Sequence, residues 1–372
     1  MKNAPIRVMQ VMGHMAGGGV EATIMNHYHF IDKSKVQFDF VIDEDSTVVP
    51  RQEIQELGGN VFVVPPYKRL PQYLRSCEQL FAQQKPDIVH SNLNALSVFP
   101  LGAAKKAGVP VRIAHNHSIG VMQEGLRTVL KDILRPFSKV FPTHLAACTP
   151  ATARWLFGEK AVDNHKVFFI KNAIDVDRYS YDLSIREEIR KSLNLKEGQL
   201  ALGQVGRFCY PKNHLFALEV MKGVVKWHPD AQLFFVGDGE LRSQIETKIQ
   251  ELQLGQNVHL LGQRNDVERL YQAFDALLFP SRYEGLPLTV VEAQAAGLPV
   301  IMSDVVSDEV DICPNLIHRL SLDNDIDTWI DTVDQVKTGN RQVADLDHFQ
   351  KAGYEIRDSA QSLCEWYEEI AS

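Results

Sequence analysis

Short apolar runs rich in β-branched residues recur along the chain, and most are separated by stretches with helical periodicity. In the first half such runs fall at 6–12, 38–43, 60–65, 87–92, 111–117 and 144–149. Most of them are continuously apolar instead of alternating, which is typical of parallel strands covered on both faces. This strand–helix rhythm predicts a doubly wound α/β sheet with right-handed crossovers.

The same alternation of predicted strands and helices begins again in the second half of the chain. After 167–179, which ends in a polar stretch, further apolar runs follow at 200–206, 231–239, 258–263, 276–281 and 299–304. A length of 372 residues also favours two domains. We therefore predict an α/β protein of two doubly wound, Rossmann-like domains facing a central cleft, with bounds of 1–175 and 185–353. An amphipathic helix at about 354–372 could pack back on the first domain.

The amino-acid composition limits the kinds of molecule that the protein could bind and the compartment in which it is found. The formal net charge of −8 argues against nucleic acid, whose partners are usually strongly basic. The five cysteines are scattered without a C-x-x-C pair, which favours a reducing compartment. The N-terminal stretch lacks a signal-peptide pattern, and no apolar run reaches the ~18 residues of a membrane span. We expect a cytoplasmic protein.

A glycine loop separates the first predicted strand from a helix that opens at Val20. It contains Gly17, Gly18 and Gly19. Glycine permits close backbone approach, and a helix N-terminus attracts anions, so the loop suits a phosphate or a sugar. It matches neither G-x-G-x-x-G nor the P-loop pattern, so no nicotinamide or P-loop site is predicted. The alternative is a plain flexible turn.

Loops of the second half carry further candidates. Arg207 and Lys212 follow the strand at 200–206, where fixed cations could bind a diphosphate and stabilise it as a leaving group. Gly237 lies in a Gly-Asp-Gly turn, and Arg264 precedes Asp266, the predicted N-cap of a helix. Ligand contact and ordinary turn or cap roles stay open for these last two.

Two glutamates lie eight positions apart between Pro280 and Val300. Glu284 falls in a loop and Glu292 about one turn into a helix predicted from Leu288 to Ala296. An unpaired carboxylate among apolar neighbours is costly, so Glu292 is expected to bind something polar. The backbone N–H groups of Gly285, Leu286, Leu288 and Thr289 form a predicted phosphate cradle between the two glutamates.

His115 and His117 end the strand at 111–117. Residues two apart on a strand point to the same side, so both could face the cleft. No acidic or cysteine partner is near them in sequence, so we predict no metal site. Which of the two histidines faces a ligand is left open.

A basic amphipathic stretch spans 126–141. Leu126, Leu130, Ile133, Leu134 and Phe137 share one face, with Arg127, Lys131, Arg135 and Lys139 nearby, and Pro136 interrupts the pattern. Such a helix either packs on the core or lies on an anionic membrane.

Several of these motifs together resemble the retaining glycosyltransferases of family 4, which have the GT-B architecture of two Rossmann-like domains. The likeness covers most of the chain, strongest over 198–304. It rests on G-G-V-E (18–21), G-R-F…K-N (206–213), "HPDAQLFFVGDGEL" (228–241), "VHLLGQRNDVERLY" (258–271) and E-x₇-E. The first half is similar to the subgroup that builds bacterial exopolysaccharide or capsule. One departure is Ala173 in N-A-I-D, where the family often has glycine.

The resemblance implies roles at matching positions. Arg207 and Lys212 would bind the donor diphosphate, Glu284 the donor sugar and Glu292 the ribose hydroxyls. The glycine loop would face the diphosphate. The cleft histidine of the family corresponds to His115 or His117, with His117 slightly preferred.

The resemblance also implies the reaction. A hexosyl unit would pass with retention from a nucleotide sugar, with UDP expected, to a glycan or lipid-linked acceptor in cell-surface polysaccharide synthesis. It would need no metal or other cofactor. The protein would be cytoplasmic or peripheral on the inner face of the plasma membrane. The competing hypotheses are a sucrose- or glycogen-type synthase of the same fold, and a catalytically silent nucleotide-sugar sensor.

Overall fold

The computed structural model describes residues 4–118, 133–336, 341 and 343–372 of the chain. These form two compact units. The first unit comprises Met1–Ala173 together with Gly353–Ser372, and the second comprises Ile174–Ala352. The last helix therefore belongs with the beginning of the chain.

The first unit is built on a seven-stranded parallel sheet in the order β3-β2-β1-β4-β5-β6-β7. Every residue of the second strand is buried, as expected for a central parallel strand covered on both faces. The strands are β1 (Ile6–Gly13), β2 (Val36–Asp43), β3 (Val61–Val64), β4 (Ile88–Ser91), β5 (Val111–Asn116), β6 (His144–Ala147) and β7 (Val167–Phe169).

Helices connect these strands and cover the sheet. They are α1 (Gly19–Phe30), α2 (Arg51–Glu56), α3 (Leu70–Gln84), α4 (Val98–Lys106), α5 (Pro150–Phe157) and α6 (Glu159–Asp163), numbered over the described residues. The sequence at the start of α5 explains why the helix begins there. The Thr149 hydroxyl accepts a hydrogen bond from the N–H of Thr152 at 3.1 Å, and Pro150 occupies the first helical position.

The C-terminal helix, Ile356–Ala371, completes the core of the first unit. Its side chains pack on the sheet through aromatic contacts. Trp366 stacks on Phe168 with ring centroids 4.2 Å apart, and Tyr367 meets Phe38 edge-on at 6.0 Å. Apolar burial is the main stabilising term in folding, so the first unit depends on the last residues of the chain.

The second unit repeats the architecture with a six-stranded parallel sheet in the order β10-β9-β8-β11-β12-β13. The strands are β8 (Ala201–Val205), β9 (Gln232–Val236), β10 (Val258–Gly262), β11 (Ala276–Phe279), β12 (Val300–Ser303) and β13 (Ile317–Leu320). The sequence did not predict β13. Its four residues, Ile-His-Arg-Leu, are all partly exposed at the sheet edge, so they lack the continuous apolar signal of a central strand.

Eight helices of the described chain belong to the second unit. They are α7 (Val176–Tyr179), α8 (Leu183–Ser192), α9 (His214–Trp227), α10 (Arg242–Glu251), α11 (Val267–Ala273), α12 (Leu288–Ala295), α13 (Ile326–Val336) and α14 (Leu346–Lys351), and the C-terminal helix is α15. The fully buried Trp329 of α13 packs edge-on against Phe216 of α9 at 5.1 Å. The unit therefore has a core of its own.

The predicted amphipathic helix at 126–141 lies partly outside the described residues, which resume at 133. Within the described part, Leu134 packs against the core of the first unit. Ile133, Phe137 and Val140 are instead 59%, 52% and 54% exposed. The apolar stripe is therefore not wholly core-packed. No helix in the described part of the chain is long and apolar enough to cross a membrane.

Gly203 of β8 offers a test of the packing in the second unit. A Cβ at this position would lie 2.3 Å from a ring carbon of the buried Phe274, which itself stacks on Phe234 at 5.8 Å. We expect Gly203→Ala to destabilise the protein by about 1 to 3 kcal/mol, because the ring must shift within a packed core. The measurement is the melting temperature of the full chain.

Gly255→Ala is the matched control, because nothing lies within 4 Å of its added Cβ and its side-chain position is exposed. Its melting temperature should stay close to that of the wild type. Equal losses for the two variants would contradict the packing argument.

Candidate functional site

The second unit holds Glu292 in a defined polar setting on α12. The Tyr179 hydroxyl donates to its Oε1 at 3.1 Å, and the Tyr271 hydroxyl donates to its Oε2 at 2.9 Å. Burial raises the pKa of the Glu292 carboxyl above its usual value, and the two tyrosine hydroxyls partly offset this effect. Each carboxylate oxygen has further acceptor capacity, so Glu292 can also accept hydrogen bonds from ligand hydroxyls.

Glu284 precedes the same helix and pairs with Lys212. The ammonium of Lys212 lies 2.7 Å from Glu284 Oε1, and both side chains are largely buried. The ammonium also lies 4.7 Å from the centre of the Phe279 ring. The absence of a side chain at Gly206 helps, because a Cβ there would come within 3.3 Å of the Lys212 chain. The ion pair therefore sits directly beyond the carboxyl ends of β8 and β11.

Arg207 lies on the same loop as Lys212 but is much more exposed. Its guanidinium pairs with Glu240 at 3.1 Å, with side chains 67% and 54% exposed. Exposed ion pairs contribute little to stability, so Arg207 can exchange this partner for a phosphate at small cost.

Only glycine fits at position 237, because of the neighbouring backbone and its own φ angle. A Cβ at this position would lie 2.1 Å from the carbonyl oxygen of Gly206, and its φ of +139° is disfavoured for residues with side chains. The two strand-end loops lie against each other here, and Phe208 N donates to Asp238 O at 3.0 Å. Close packing of two loops therefore explains this glycine without a ligand, and the predicted ligand contact stays a prediction.

Arg264 forms an ion pair with Asp266, with nitrogen–oxygen distances of 2.8 and 2.6 Å. Asp266 occupies the N-cap position of α11, but its carboxylate makes no capping hydrogen bond. The predicted N-cap position of Asp266 is therefore confirmed, but the neighbouring guanidinium, and not the helix backbone, binds its carboxylate. Donor contact by Arg264 remains a prediction.

The predicted phosphate cradle coincides with the start of α12. Pro287 is the N-cap residue and Leu288 and Thr289 are the first two helical residues, whose N–H groups have no acceptor within the helix. The Leu286 and Leu288 side chains are buried and anchor the loop that begins at Gly285. The positive end of the helix dipole therefore lies between Glu284 and Glu292 in the chain.

In the first unit, the glycine loop already holds a carboxylate. Glu21 of α1 accepts hydrogen bonds from the N–H of Ala16 at 3.1 Å and of Gly18 at 2.8 Å. Gly17 has a φ of +77°, and a side chain at Gly19 would meet nothing within 4 Å. The backbone cradle predicted for an external anion is thus partly filled by the glutamate of the G-G-V-E motif.

The two candidate histidines lie side by side at the end of β5. Their ring centroids are 3.8 Å apart, as expected when residues two apart on a strand share one side. His115 is fully buried, whereas His117 retains 7% exposure. Burial lowers the pKa of His117 to about 3 and holds the pKa of His115 well below its usual value. Both rings are therefore neutral at physiological pH.

A metal site was not expected. Within the residues that the structure describes, no group of three His, Cys, Asp or Glu side chains could hold a metal ion.

Several residues of these sites escaped the sequence reasoning. Tyr179 and Tyr271 give no motif signal, because only folding brings them to Glu292. Glu21 could have been found, since a glutamate three residues after the N-cap is the spacing of a capping box. The partners of the two histidines, His90 on β4 and Asn92 directly after it, each lie 25 positions away in sequence.

Comparison with known proteins places the chain in a class. Residues 17–178 match the model of "Glycosyltransferase Family 4", and residues 185–355 match that of "Glycosyl transferases group 1". The structure of Anabaena Alr3699/HepE in complex with UDP-glucose aligns with a TM-score of 0.74 at 16% identity, covering 98% of this chain and 97% of that one. The fold is that of the GT-B glycosyltransferases.

Proteins that are similar in sequence are also glycosyltransferases by name. A putative glycosyltransferase, EpsF of Bacillus subtilis, is 31% identical over 99% of this chain and 97% of its own length. An Escherichia coli UDP-Gal:α-D-GlcNAc-diphosphoundecaprenol α-1,3-galactosyltransferase is 25% identical over 90% of this chain and 88% of its own. The capsular polysaccharide biosynthesis glycosyltransferase CapH of Staphylococcus aureus is 23% identical over 81% and 82%. The chain belongs to glycosyltransferase family 4, as its motifs predicted.

The raised pKa of Glu292 predicts a pH-dependent cost in stability. A carboxyl whose pKa is higher in the folded state stabilises the fold at low pH, and this stabilisation is lost as pH rises through the folded pKa. Glu292→Gln removes that titration, and every other group is common to both proteins. The melting temperature of the variant minus that of the wild type should therefore increase from pH 4.5 towards pH 8.

The measurement is a pair of thermal melts across this pH range without ligand. A difference that stays constant, or that shrinks as pH rises, would show that Glu292 is not a strained buried carboxylate.

Proposed function

We propose that this glycosyltransferase moves a hexosyl unit with retention from a nucleotide sugar, with UDP the expected nucleotide, to a growing cell-surface glycan. The observation that carries the proposal is the arrangement around α12. Glu284, paired with Lys212, precedes the N-terminus of α12. Glu292 lies within the helix and accepts hydrogen bonds from two tyrosine hydroxyls. The Glu284 carboxylate suits the sugar, Lys212 and the helix N-terminus suit the diphosphate, and the Glu292 carboxylate suits the ribose.

Each part of the donor has a chemical counterpart. The ribose hydroxyls donate to Glu292, as carboxylate acceptors allow. The diphosphate receives the charges of Arg207 and Lys212 and the N–H groups at the start of α12. Glu284 accepts hydrogen bonds from hydroxyls of the sugar once the phosphate competes for Lys212. Family resemblance supports the same assignments.

The reaction breaks the bond between the anomeric carbon and the diphosphate oxygen. Negative charge grows on the leaving diphosphate, and preorganised cations stabilise it in the transition state. Arg207 and Lys212 supply that charge from the protein, so we propose that no metal is required. The acceptor hydroxyl attacks from the face that the leaving group departs from, which gives retention.

The first unit also contributes to the proposal. The glycine loop at Gly17–Gly19 and one neutral histidine, His117 in preference to the fully buried His115, are assigned to the donor. A neutral imidazole can accept or donate a hydrogen bond to a sugar hydroxyl without adding charge.

Donor hydrolysis by the purified protein tests the site. We expect Arg207→Ala and Glu284→Ala each to abolish the slow release of UDP from the preferred UDP-sugar. The preferred donor is first found as the nucleotide sugar that raises the melting temperature most, since ligands stabilise the state that binds them.

Arg269→Ala is the control for loss of a partly exposed arginine, because Arg269 pairs with Glu188 away from these loops. It should hydrolyse the donor like the wild type. Hydrolysis that survives both site substitutions would refute the site, and binding without any turnover would favour the nucleotide-sugar sensor. Transfer to a soluble acceptor such as fructose phosphate or an α-glucan would favour a sucrose- or glycogen-type synthase.

The acceptor is proposed to be lipid-linked. The E. coli relative is named for a diphosphoundecaprenol acceptor. In this chain, Ile133, Phe137 and Val140 expose apolar surface beside the cations Arg135 and Lys139. Apolar side chains flanked by cations favour contact with anionic lipid surfaces.

Vesicle cosedimentation tests this contact. We expect Phe137→Ser combined with Val140→Ser to weaken binding to vesicles of phosphatidylglycerol and phosphatidylcholine about thirtyfold, since each exposed apolar side chain contributes on the order of 1 kcal/mol. Trp227→Ser is the control, because Trp227 is 77% exposed in the other unit. Equal binding by both variants would refute membrane contact at this segment.

A further inference from the structure

Six buried polar side chains of the first unit form one hydrogen-bonded chain, here called the histidine chain. Its members lie on or directly after three neighbouring strands and on the C-terminal helix, and none is more than 7% exposed. They are Gln10 of β1, His90 and Asn92 of β4 and its end, His115 and His117 of β5 and its end, and Tyr367 of α15.

The side-chain amides of Asn92 and Gln10 determine which atoms donate and which accept hydrogen bonds along the histidine chain. Asn92 Nδ2 donates to Gln10 Oε1 at 3.0 Å, and Gln10 Nε2 donates to the Tyr367 hydroxyl at 3.1 Å. Asn92 Oδ1 is left to face His117 Nε2 at 3.0 Å. An amide oxygen only accepts, so His117 carries its proton on Nε2 and keeps Nδ1 as its acceptor.

The Tyr367 hydroxyl determines the tautomers of the other two histidines, His90 and His115. Because it already accepts from Gln10, it donates its proton to His90 Nδ1 at 2.7 Å. A neutral His90 then carries its own proton on Nε2, which lies 3.1 Å from His115 Nδ1. His115 is consequently the Nε2–H tautomer as well.

The chain ends on an unsatisfied group. His115 Nε2 is fully buried and has no hydrogen-bond partner among the described residues. Its ring contacts that of His117, with centroids 3.8 Å apart and ring planes tilted by 32°. A buried donor without a partner costs stability. The opposite tautomer is blocked, however, because His115 Nδ1 would then meet the N–H of His90.

We propose that Tyr367 and His90 are positioning residues, which fix the tautomer and ring plane of His115 and, through the contact between the two rings, hold His117 for the donor sugar. The helix that closes the first core thereby orients a side chain used in the reaction. This inference rests on the proposed function for its kinetic consequence only. The tautomers themselves are independent of any substrate.

The first arm of the test reads the tautomers directly. The full chain is labelled with ¹⁵N-histidine, and long-range ¹H–¹⁵N spectra are recorded at pH 7, with signals assigned by single histidine substitutions. We expect the Nε2–H form for His90, His115 and His117 in the wild type. In Tyr367→Phe, the signals of His90 and His115 should move towards the Nδ1–H form.

Tyr28→Phe is the matched control. Tyr28 is also fully buried in the same core, and its hydroxyl likewise accepts from a glutamine, Gln37, and donates to Leu57 O at 3.1 Å. It lies outside the histidine chain, so its removal should leave all three tautomers unchanged. Both variants lose one buried hydroxyl, so a similar fall in melting temperature is expected.

The second arm measures turnover of the preferred UDP-sugar by hydrolysis. We expect Tyr367→Phe to lower kcat about tenfold with little change in KM, as loss of an orienting partner typically does. Tyr28→Phe should keep the wild-type kcat. Unchanged tautomers in Tyr367→Phe, or a kcat no lower than that of Tyr28→Phe, would overturn the proposal.

If Tyr367→Phe does not fold, Asn92→Leu tests the other arm of the chain. It removes the acceptor of His117 Nε2–H, so the His117 signal should change, and an unchanged signal overturns the assignment. A wild-type protein that hydrolyses no nucleotide sugar would instead refute the proposed function. The tautomer measurements would still decide whether Tyr367 sets the histidines.

Discussion

Both sheets of this protein are parallel and covered by helices, and that burial constrains where chemistry can occur. A strand covered on both faces can meet a ligand only where it ends. The charged and polar candidates obey this constraint: Lys212 follows β8, Glu284 follows β11 and His117 follows β5. These three residues therefore lie in loops after strands, which is where open α/β sheets generally bind their ligands.

The same constraint explains why neutral and charged groups are segregated. In the second unit, Lys212 and Glu284 neutralise each other across 2.7 Å, and Glu292 relies on two hydroxyls. In the first unit, burial keeps the histidines uncharged. The candidate residues of the second unit are therefore charged, whereas the candidate histidines of the first unit are neutral.

Much of the fold could be read from the sequence, for a physical reason. Twelve strands coincide with continuous apolar or mixed runs, and for most of them burial on both faces demands such residues. The partly exposed Ile317–Leu320, which contains His318 and Arg319, escaped notice. The two glutamates could also be picked out as candidates, since spacing within one loop and helix survives in sequence, and Lys212 could be picked out by its position after β8. The partners of Glu292 were not, because Tyr179 and Tyr271 lie 113 and 21 positions away. Long-range pairs leave no local pattern.

The chain order of the first unit has a consequence for synthesis in the cell. Its sheet is made first, but Leu363, Trp366 and Tyr367 of its core lie within the last ten residues. Domains usually fold as they emerge from the ribosome, N-terminal ones first. Here the second unit can complete its core earlier, while the first stays open until the helix Ile356–Ala371 has been made. A nascent chain that stalls before this helix would therefore expose apolar surface of the first sheet to chaperones.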